Sequence, residues 1–426
     1  MALFPFYLPA AVDEVPEVTQ RTPFSLRGSV APVVSSPDDL NRYAELLHRG
    51  TGPIAVDAER ASGFTYSQRA YLIQIKREGS GIALIDPIPL GGLAPIAAAT
   101  EGAEWIIHAA TQDLECLREV GLTPQSLFDT ELAGRLLGRE RVGLAGLVES
   151  ELGEYLEKGH GAADWSQRPL TSDMLTYAAL DVELLIELRD SLEVSLREAN
   201  KWDLAQQEFD ALTRWQPKPP SGEAWRRTSG VHSIRAPRAR GIVRELWITR
   251  DDIARRRDIA PGRILPDRSI IAAANARPTT SEKLRSLKEF NGRGAHKYLS
   301  QWWSAVERAY SLPESDLPGN PPRSEGPPPP KSWTDKNPAA FARLECVKSA
   351  LAQLSEDMCI PVENIVLPDL IRRMCWEGWG SDVDARLSAG GARPWQRQLV
   401  SPILQSCRDA QPPDIPKQAT PPEVNH

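Results

Sequence analysis

Two proline-rich segments interrupt this chain and limit how much of it can fold as one unit. The first is QPKPP at 216–220, and the second is SLPESDLPGNPPRSEGPPPP at 311–330. Proline lacks a backbone N–H and fixes φ, so neither segment can continue a helix or enter the middle of a sheet. A chain of 426 residues also exceeds the usual size of one domain. We therefore expect separate folded units, with 311–334 as a stiff linker.

The first unit combines strand patterns with helix patterns. Short apolar runs predict strands, and the connections between the first three of them are polar or glycine-rich, as in hairpins. The remaining segments repeat apolar residues at helical spacing. This order predicts an α/β domain at 36–215, a mixed sheet flanked by helices, after an irregular lead-in at 1–35. The predicted strands are 53–59, 70–76, 81–86 and 104–108.

The rest of the chain contains only helical patterns between its proline-rich segments. We expect one all-α bundle at 224–310 and a second at 335–408. The proline-rich tail at 409–426 cannot bury a core, and we expect it to be disordered.

Charge is distributed unevenly along the chain. Residues 1–220 carry 19 Lys and Arg against 33 Asp and Glu, whereas 221–310 carry 19 against 9, within a net charge of −7. A basic segment beside an acidic one suits a polyanion-binding unit next to a metal-binding one. The alternative is that the basic side chains only form a solvated surface, and charge alone does not separate the two interpretations.

The cysteines and the apolar runs bear on the cellular compartment. The five cysteines are widely spaced and form no CxxC pair, which argues against a structural zinc site and against a disulfide framework. No apolar run has the length of a membrane span, and the first residues lack the positive charge of a secretory signal. We therefore expect a cytoplasmic protein with no membrane association.

Four carboxylates and one tyrosine stand out because of the elements on which they fall. Asp57 and Glu59 are two residues apart on an apolar strand, so their side chains point to the same face. Asp113 follows a strand and opens a helix. Tyr177 lies four residues before Asp181 on a helix, which places the two side chains next to each other. Each signal has a structural alternative. An Asp-x-Glu pattern is common on strands, Asp113 could be an N-cap, and Tyr177 with Asp181 could be a surface pair, but their combination indicates a site.

The chemistry of this set points to metal-dependent phosphodiester hydrolysis. Carboxylates without histidine or cysteine ligands suit hard cations, Mg²⁺ or Mn²⁺. Two such ions can bind the attacking and the leaving oxygen during an in-line displacement. The Tyr177 phenol could orient the attacking water or help to remove its proton.

The order of these residues resembles the DEDDy 3′-5′ exonucleases of the ribonuclease H-like fold, and within them the ribonuclease D family. The resemblance implies that four carboxylates bind two divalent ions, that the tyrosine orients the nucleophilic water, and that 5′-nucleotides leave stepwise from a 3′ end. The implied metal ligands are Asp57, Glu59, Asp113 and Asp181, and the implied tyrosine is Tyr177. The matching phrases are VDAER at 56–60, YLIQI at 71–75, HAATQDLECL at 108–117, FDTELAGRLLG at 128–138, DWSQRPL at 164–170 and YAALDVELL at 177–185.

Five residues near these phrases are further candidates for contacts with the substrate. A single histidine at a strand end is more often structural, and packing explains a buried tryptophan equally well. The candidates are His108, Gln112, Gln74, Trp165 and Arg168.

The basic segment resembles the HRDC domain, a small helical bundle found beside ribonuclease D and RecQ-type helicases. Its lysines and arginines could neutralise phosphates without reading sequence, although arginines on short helices are usually only solvated. Residues 335–408 resemble a divergent second copy, marked by the Arg393-Pro394-Trp395 turn. The candidate nucleic-acid contacts are Arg255, Arg256, Lys288, Arg293 and Lys297.

The substrate implied by the resemblance is RNA with an accessible 3′ end, with tRNA precursors the favoured example. No obligate protein partner is implied. A DNA 3′-5′ exonuclease would use the same ligands and stays open as an alternative. A further alternative is an RNA-binding protein whose nuclease fold has lost its activity, although all five motif positions are filled here. A nucleotidyltransferase would need a phosphate-binding glycine motif, and Gly91–Gly92 lacks the right context.

Overall fold

The structure of the chain is a computed structural model that describes residues 22–157, 159, 161–219, 222–320 and 326–411. The predicted lead-in up to residue 21, the linker residues 321–325 and the tail from 412 onward lie outside the described residues. Within the described part of the chain, no helix combines the length and the apolar character that a membrane span requires.

A mixed sheet forms the centre of the first unit, which confirms the predicted α/β class. Among the described residues the sheet has five strands in the order β3-β2-β1-β4-β5. Strands β1, β2 and β3 pair antiparallel, whereas β4 runs parallel to β1 and β5 runs parallel to β4. The middle strand β1 is therefore paired on both edges, and its residues Ile54, Ala55 and Val56 are fully buried. The strands are β1 Thr51–Arg60, β2 Ala70–Glu78, β3 Gly81–Ile85, β4 Glu104–Ile107 and β5 Ser126–Asp129.

Helices cover both faces of this sheet. Side chains alternate along each strand, and the alternating residues of β1 are apolar, so both faces have to be buried. Ile54 and Val56 pack on the face covered by α1, α2 and α3. Ala55 packs on the opposite face, with α4, α5, α7 and α8. The helices of this unit are α1 Pro37–Arg49, α2 Ala94–Ala99, α3 Leu114–Glu119, α4 Thr130–Leu136, α5 Leu144–Leu152, α6 Ser172–Glu183, α7 Leu185–Glu198 and α8 Trp202–Thr213.

All four predicted strands are present, together with a fifth strand, β5, that the sequence pattern does not predict. This strand has only four residues, SLFD, and pairs with β4 alone at the edge of the sheet. Its last residue, Asp129, also caps the following helix by accepting hydrogen bonds from the Glu131 and Leu132 amides. A run this short carries no period of its own, so it merges into the helical pattern that follows.

The second unit is all-α, as predicted. Its core lies between the two long helices α9 and α14, where Ile242, Leu246 and Trp302 are fully buried. The helices are α9 Pro237–Arg257, α10 Pro261–Ile264, α11 Asp267–Ala276, α12 Ser281–Arg285, α13 Arg293–Lys297 and α14 Leu299–Ser311.

The last unit is also all-α, and it begins earlier than predicted. Trp333, inside the expected linker 311–334, is fully buried in the core of this unit and opens its first helix. A tryptophan at the end of a proline-rich run therefore packs as part of the domain. The helices are α15 Trp333–Lys336, α16 Pro338–Met358, α17 Val362–Ile365, α18 Pro368–Glu377, α19 Val383–Ala389 and α20 Pro394–Ser406.

Two cysteines of the last unit form a disulfide, a pairing that the cysteine spacing did not predict. Cys346 on α16 bonds to Cys407 after α20, with the two Cα atoms 5.7 Å apart. Cys116, Cys359 and Cys375 are free. The paired cysteines are 61 positions apart in the sequence. Only the packing of α16 against α20 brings them together, which cysteine spacing cannot show.

The last unit packs directly on the first through a buried acidic residue. Glu208 on α8 is 5% exposed and accepts a hydrogen bond of 2.9 Å from the Trp395 indole N–H. Its other oxygen lies 2.7 Å from the Arg393 guanidinium. Burial raises the pKa of Glu208, and Arg393 works against this shift. The turn that drew attention in the sequence therefore lies at the contact between these two units.

Candidate active site

An acidic cleft of about 390 Å³ opens on the sheet of the first unit. Its volume lies within the roughly 300–1,000 Å³ that small-molecule sites occupy. The cleft gathers the four predicted carboxylates and the predicted tyrosine, which come from a strand, a helix start and a second helix. Asp57, Glu59, Asp113, Tyr177 and Asp181 all line it.

Strand β1 supplies the first two carboxylates. Asp57 and Glu59 leave the same face of this central strand, and Glu59 is only 8% exposed. One oxygen of each, together with one from Asp181, forms a group in which all atoms lie within 4.8 Å of one another. Carboxylates brought this close can share a cation.

A turn between β4 and α3 positions the third carboxylate. Ala109 adopts a left-handed conformation with φ of 56°, which a residue with a Cβ rarely takes. The Asp129 carboxylate holds this turn by accepting from the Ala109 and Ala110 amides at 3.1 and 2.9 Å. Asp113 follows at the start of α3, but its side chain makes no capping hydrogen bond to that helix. Its carboxylate instead faces the cleft, so Asp113 does not serve as a side-chain N-cap.

Helix α6 supplies the tyrosine and the fourth carboxylate. Tyr177 and Asp181 are one helical turn apart, and their side chains hydrogen-bond to each other. The backbone of Gly159 packs against the tyrosine ring, where an added Cβ would lie 2.8 Å from Tyr177 Cδ2. The Trp165 ring lies on another side, with the two ring centroids 6.4 Å apart. The phenol is therefore held by packing as well as by its partner.

Burial and mutual repulsion make this cluster unfavourable when every carboxylate is ionised. Burial, followed by the charges of Asp57, Asp181 and Asp113, raises the pKa of Glu59 to about 9. Burial raises the pKa of Asp57 to about 6, and the pKa values of Asp113 and Asp181 also lie well above their usual range. Such a set favours bound cations, which would offset the repulsion. The donor set therefore fits divalent metal ions.

Arg60 is a pocket residue that the sequence analysis did not single out. It follows Glu59 directly, and its Nε lies 3.8 Å from Asp113 Oδ1. Among the described residues that line the cleft, it is the sole lysine or arginine. Its charge lowers the pKa of Asp57, Glu59 and Asp113 against the larger effect of burial. Its position beside the acidic motif was the signal available in the sequence.

The other predicted contact residues separate into two groups. His108 and Gln112 line the cleft. The His108 Nδ1 lies 2.9 Å from Thr130 Oγ1, and burial lowers the pKa of His108 to about 4. At neutral pH this imidazole is therefore uncharged.

The second group does not reach the cleft. Gln74 pairs with Asp57 across the sheet but is fully buried, and neither its amide oxygen nor its nitrogen has a partner among the described residues. Trp165 is fully buried as well. Arg168 donates to Asp86 at 2.6 Å and to the Tyr71 carbonyl at 2.8 Å, which ties it to the fold. Packing accounts for Trp165 and hydrogen bonds account for Arg168, and a contact of any of the three residues with substrate remains a prediction.

The predicted nucleic-acid contacts of the second unit also differ among themselves. Lys288 and Arg293 line a separate cavity of about 590 Å³ together with further arginines. Arg255 instead pairs with Asp251, and Arg256 donates to a carbonyl of its own helix. Lys297 lies over the Tyr298 ring, 5.4 Å from its centroid. The two residues at the cavity are therefore the better placed for phosphates.

Comparison with known proteins agrees with this fold. Residues 32–197 match the family model described as 3′-5′ exonuclease, and residues 239–306 match the HRDC domain. Residues 326–407 match a family described as the 3′ to 5′ exonuclease C-terminal domain, so a second HRDC copy stays a prediction for this unit. The chain is thus a hydrolase of the 3′-5′ exonuclease class.

Relatives over most of the chain narrow this class. Ribonuclease D of Escherichia coli is 30% identical over 293 residues, which cover 67% of this chain and 76% of that protein. A crystal structure of a protein from Bifidobacterium adolescentis has a TM-score of 0.85 and 36% identity, covering 91% of this chain and 99% of the other. The crystal structure of Escherichia coli RNase D gives 0.64 and 25%, covering 88% and 98%. The chain belongs to the ribonuclease D family.

Proposed function

We propose that this enzyme removes nucleotides one at a time from the 3′ ends of RNA, with two divalent ions, Mg²⁺ or Mn²⁺, in the acidic cleft. The observation that carries the proposal is the convergence of four carboxylates and one tyrosine from β1, α3 and α6 on a single cleft. The raised pKa of Glu59, about 9, supports the binding of cations there. Asp57, Glu59, Asp113 and Asp181 are the proposed ligands.

In hydrolysis, the carboxylates would bind the metal ions and Tyr177 would position the attacking water. Metal ions held by the carboxylates would supply positive charge for the attacking and the leaving oxygens. Burial and the charge of Asp181 raise the pKa of Tyr177 above its ordinary value, so its hydroxyl stays protonated at neutral pH. Tyr177 therefore acts by hydrogen bonding, orienting the attacking water beside Asp181 rather than removing its proton.

RNA is the favoured polymer because of the relatives. The relative from Escherichia coli is called ribonuclease D, and its crystal structure is described as that of an exoribonuclease involved in structured RNA processing. We infer a similar role here, with tRNA precursors and other stable RNAs that have an accessible 3′ end as substrates. A cytoplasmic location and action without an obligate protein partner also belong to this proposal. Both rest on the sequence alone, and the Cys346–Cys407 disulfide does not support the location, since cytoplasmic thiols are usually kept reduced.

The experiment that tests the polymer uses one RNA and its DNA twin, each 5′-labelled and unpaired at the 3′ end. Both are incubated with the full chain and Mg²⁺, Mn²⁺ or EDTA. We expect the RNA to shorten stepwise from its 3′ end with either metal and to stay intact with EDTA. Equal shortening of the DNA would favour the alternative of a DNA exonuclease. Intact RNA with both metals would leave only a binding protein.

A further inference from the structure

One wall of the acidic cleft belongs to a loop that contacts another domain. Residues 61–69, ASGFTYSQR, connect β1 to β2, and we call them the pocket loop. Ser62, Gly63 and Phe64 in its first half line the cleft beside Glu59 and Arg60. The position of this loop therefore sets the shape of the cleft next to Glu59 and Arg60.

The first half of the pocket loop is bonded to the start of α10 in the HRDC unit. The Ala260 amide donates to the Phe64 carbonyl at 2.9 Å. Arg263 Nε donates to the Gly63 carbonyl at 2.7 Å, and its guanidinium carbon lies 3.9 Å from the centroid of the Phe64 ring. Arg263, which is 200 positions from Gly63 in the sequence, thus supports the backbone of one cleft-lining residue and the ring of the next.

The second half of the pocket loop is bonded to the end of α9. Asp258 Oδ1 accepts from the Ser67 amide at 2.8 Å, and Oδ2 accepts from the Ser67 hydroxyl at 3.1 Å and from Arg69 at 2.9 Å. Nearby, the Tyr66 hydroxyl donates to Asp251 at 3.1 Å. These contacts are charge-assisted in part, which makes them stronger than hydrogen bonds between neutral groups.

The bonds within the loop do not replace these contacts. The Phe64 and Thr65 amides donate to the Ala61 carbonyl, the Thr65 hydroxyl is placed to donate to the Ala61 and Ser67 carbonyls, and the Gln68 amide donates to neighbouring carbonyls. The Gly63 carbonyl and the Ser67 amide instead bond to Arg263 and Asp258 of the HRDC unit. Loops held by few contacts of their own open easily. The HRDC unit therefore supplies much of the order of this cleft wall.

We propose that the HRDC unit positions the pocket loop, and that Asp258 and Arg263 are positioning residues for hydrolysis. This role is separate from any binding of RNA by the same unit, and it rests on the proposed function of the cleft. A substitution of Asp258 distinguishes the two roles, because losing its negative charge has opposite effects on RNA binding and on hydrolysis. Removing an anion from a basic unit favours the binding of a polyanion, whereas removing the support of the loop slows the reaction.

The test compares a dinucleotide with a long single-stranded RNA as substrates of the full chain. The dinucleotide offers one phosphodiester to the cleft, whereas the long RNA offers many phosphates to the basic unit. The variant is Asp258→Gly, because Asp258 has φ of 49° and glycine tolerates that conformation. Asp252→Ala is the matched control, since Asp252 is an exposed anion on the same helix and its contacts with Arg255 and Arg256 stay within that helix.

We expect Asp258→Gly to lower kcat for the dinucleotide by roughly 10- to 100-fold, as small misplacements of a site do, without raising KM for the long RNA. Arg263→Ala should lower kcat for the dinucleotide as well. A wild-type kcat in Asp258→Gly would overturn the proposal, and so would an equal loss in Asp252→Ala.

A second measurement does not depend on activity. Hydrogen exchange of peptides that cover the pocket loop should be faster in Asp258→Gly than in the wild type, because the Ser67 amide loses its acceptor. Unchanged exchange there would overturn the proposal. A wild-type chain that hydrolyses neither substrate would instead count against the proposed function, and the exchange result would still decide the role of the contact.

Discussion

The raised pKa of Glu59 predicts that ionisation of the acidic cleft destabilises the metal-free enzyme. Glu59 is 8% exposed, and burial together with three neighbouring carboxylates raises its pKa from 4.5 to about 9. In the unfolded chain this carboxyl ionises near its ordinary value. Replacing it by glutamine keeps the shape of the side chain and removes the ionisation. We therefore expect Glu59→Gln to be more stable than the wild type at alkaline pH.

The sign and size of the effect follow from proton binding. Between the unfolded and the folded pKa, the folded chain holds a proton that the unfolded chain has released, so stability falls as pH rises. One proton over three pH units, from about pH 5 to pH 8, corresponds to about 4 kcal/mol at roughly 1.4 kcal/mol per unit. This value is an upper bound, because rearrangement of the cleft reduces the repulsion. Asp113 and Asp181 add to the same trend, since their pKa values are also raised.

The assay is urea denaturation of the full chain in EDTA, followed by circular dichroism at pH 5 and pH 8. The stability of the wild type should fall between these two values, and Glu59→Gln should fall less and exceed the wild type at pH 8. Glu78→Gln is the matched control, because it is the same substitution at an exposed glutamate at the end of β2. A Glu59→Gln variant with the same pH dependence as the wild type would refute the reasoning.

Three further predictions concern the tyrosine, the disulfide and the contact between the first and last units. Tyr177→Phe keeps the packed ring but loses the hydroxyl, so single-turnover hydrolysis should slow by roughly 10- to 100-fold while filter binding shows unchanged RNA affinity. Cys346→Ser removes the bond to Cys407, which closes a loop of 61 positions. From chain entropy, the free energy of unfolding should fall by about 4 kcal/mol. Urea denaturation should show this loss, and a reductant should then destabilise the wild type but not the variant. Glu208→Gln leaves the Arg393 charge without its partner, and thermal denaturation should show a loss of roughly 1–3 kcal/mol.

The part of the site that lies within single elements could be predicted from the sequence. Asp57 and Glu59 share a strand face because side chains alternate along strands. Tyr177 and Asp181 meet because they are one helical turn apart. The structure brings both pairs to one cleft together with Asp113. These relations are local, so the order of residues is enough to state them.

The parts that the sequence could not supply depend on contacts between distant segments. Arg263 and Gly63 are 200 positions apart, and nothing near either residue marks the other as a partner. The disulfide is hidden for the same reason. Arg168 and Trp165 were candidates because they lie in a matching phrase. Arg168 instead bonds to Asp86 and Tyr71, and Trp165 packs against Tyr177, which are contacts with distant segments.

The most direct test of the account is a single-turnover time course on a 5′-labelled RNA with Mg²⁺, comparing the wild type with Asp57→Asn and Asp181→Asn. Asp173→Asn is the control, because Asp173 lies in the exposed first turn of the helix that carries Asp181 and outside the cleft. We predict a ladder that shortens from the 3′ end for the wild type and the control, and intact RNA for two variants that remain folded by circular dichroism. Wild-type hydrolysis by either cleft variant would contradict the assignment of the site.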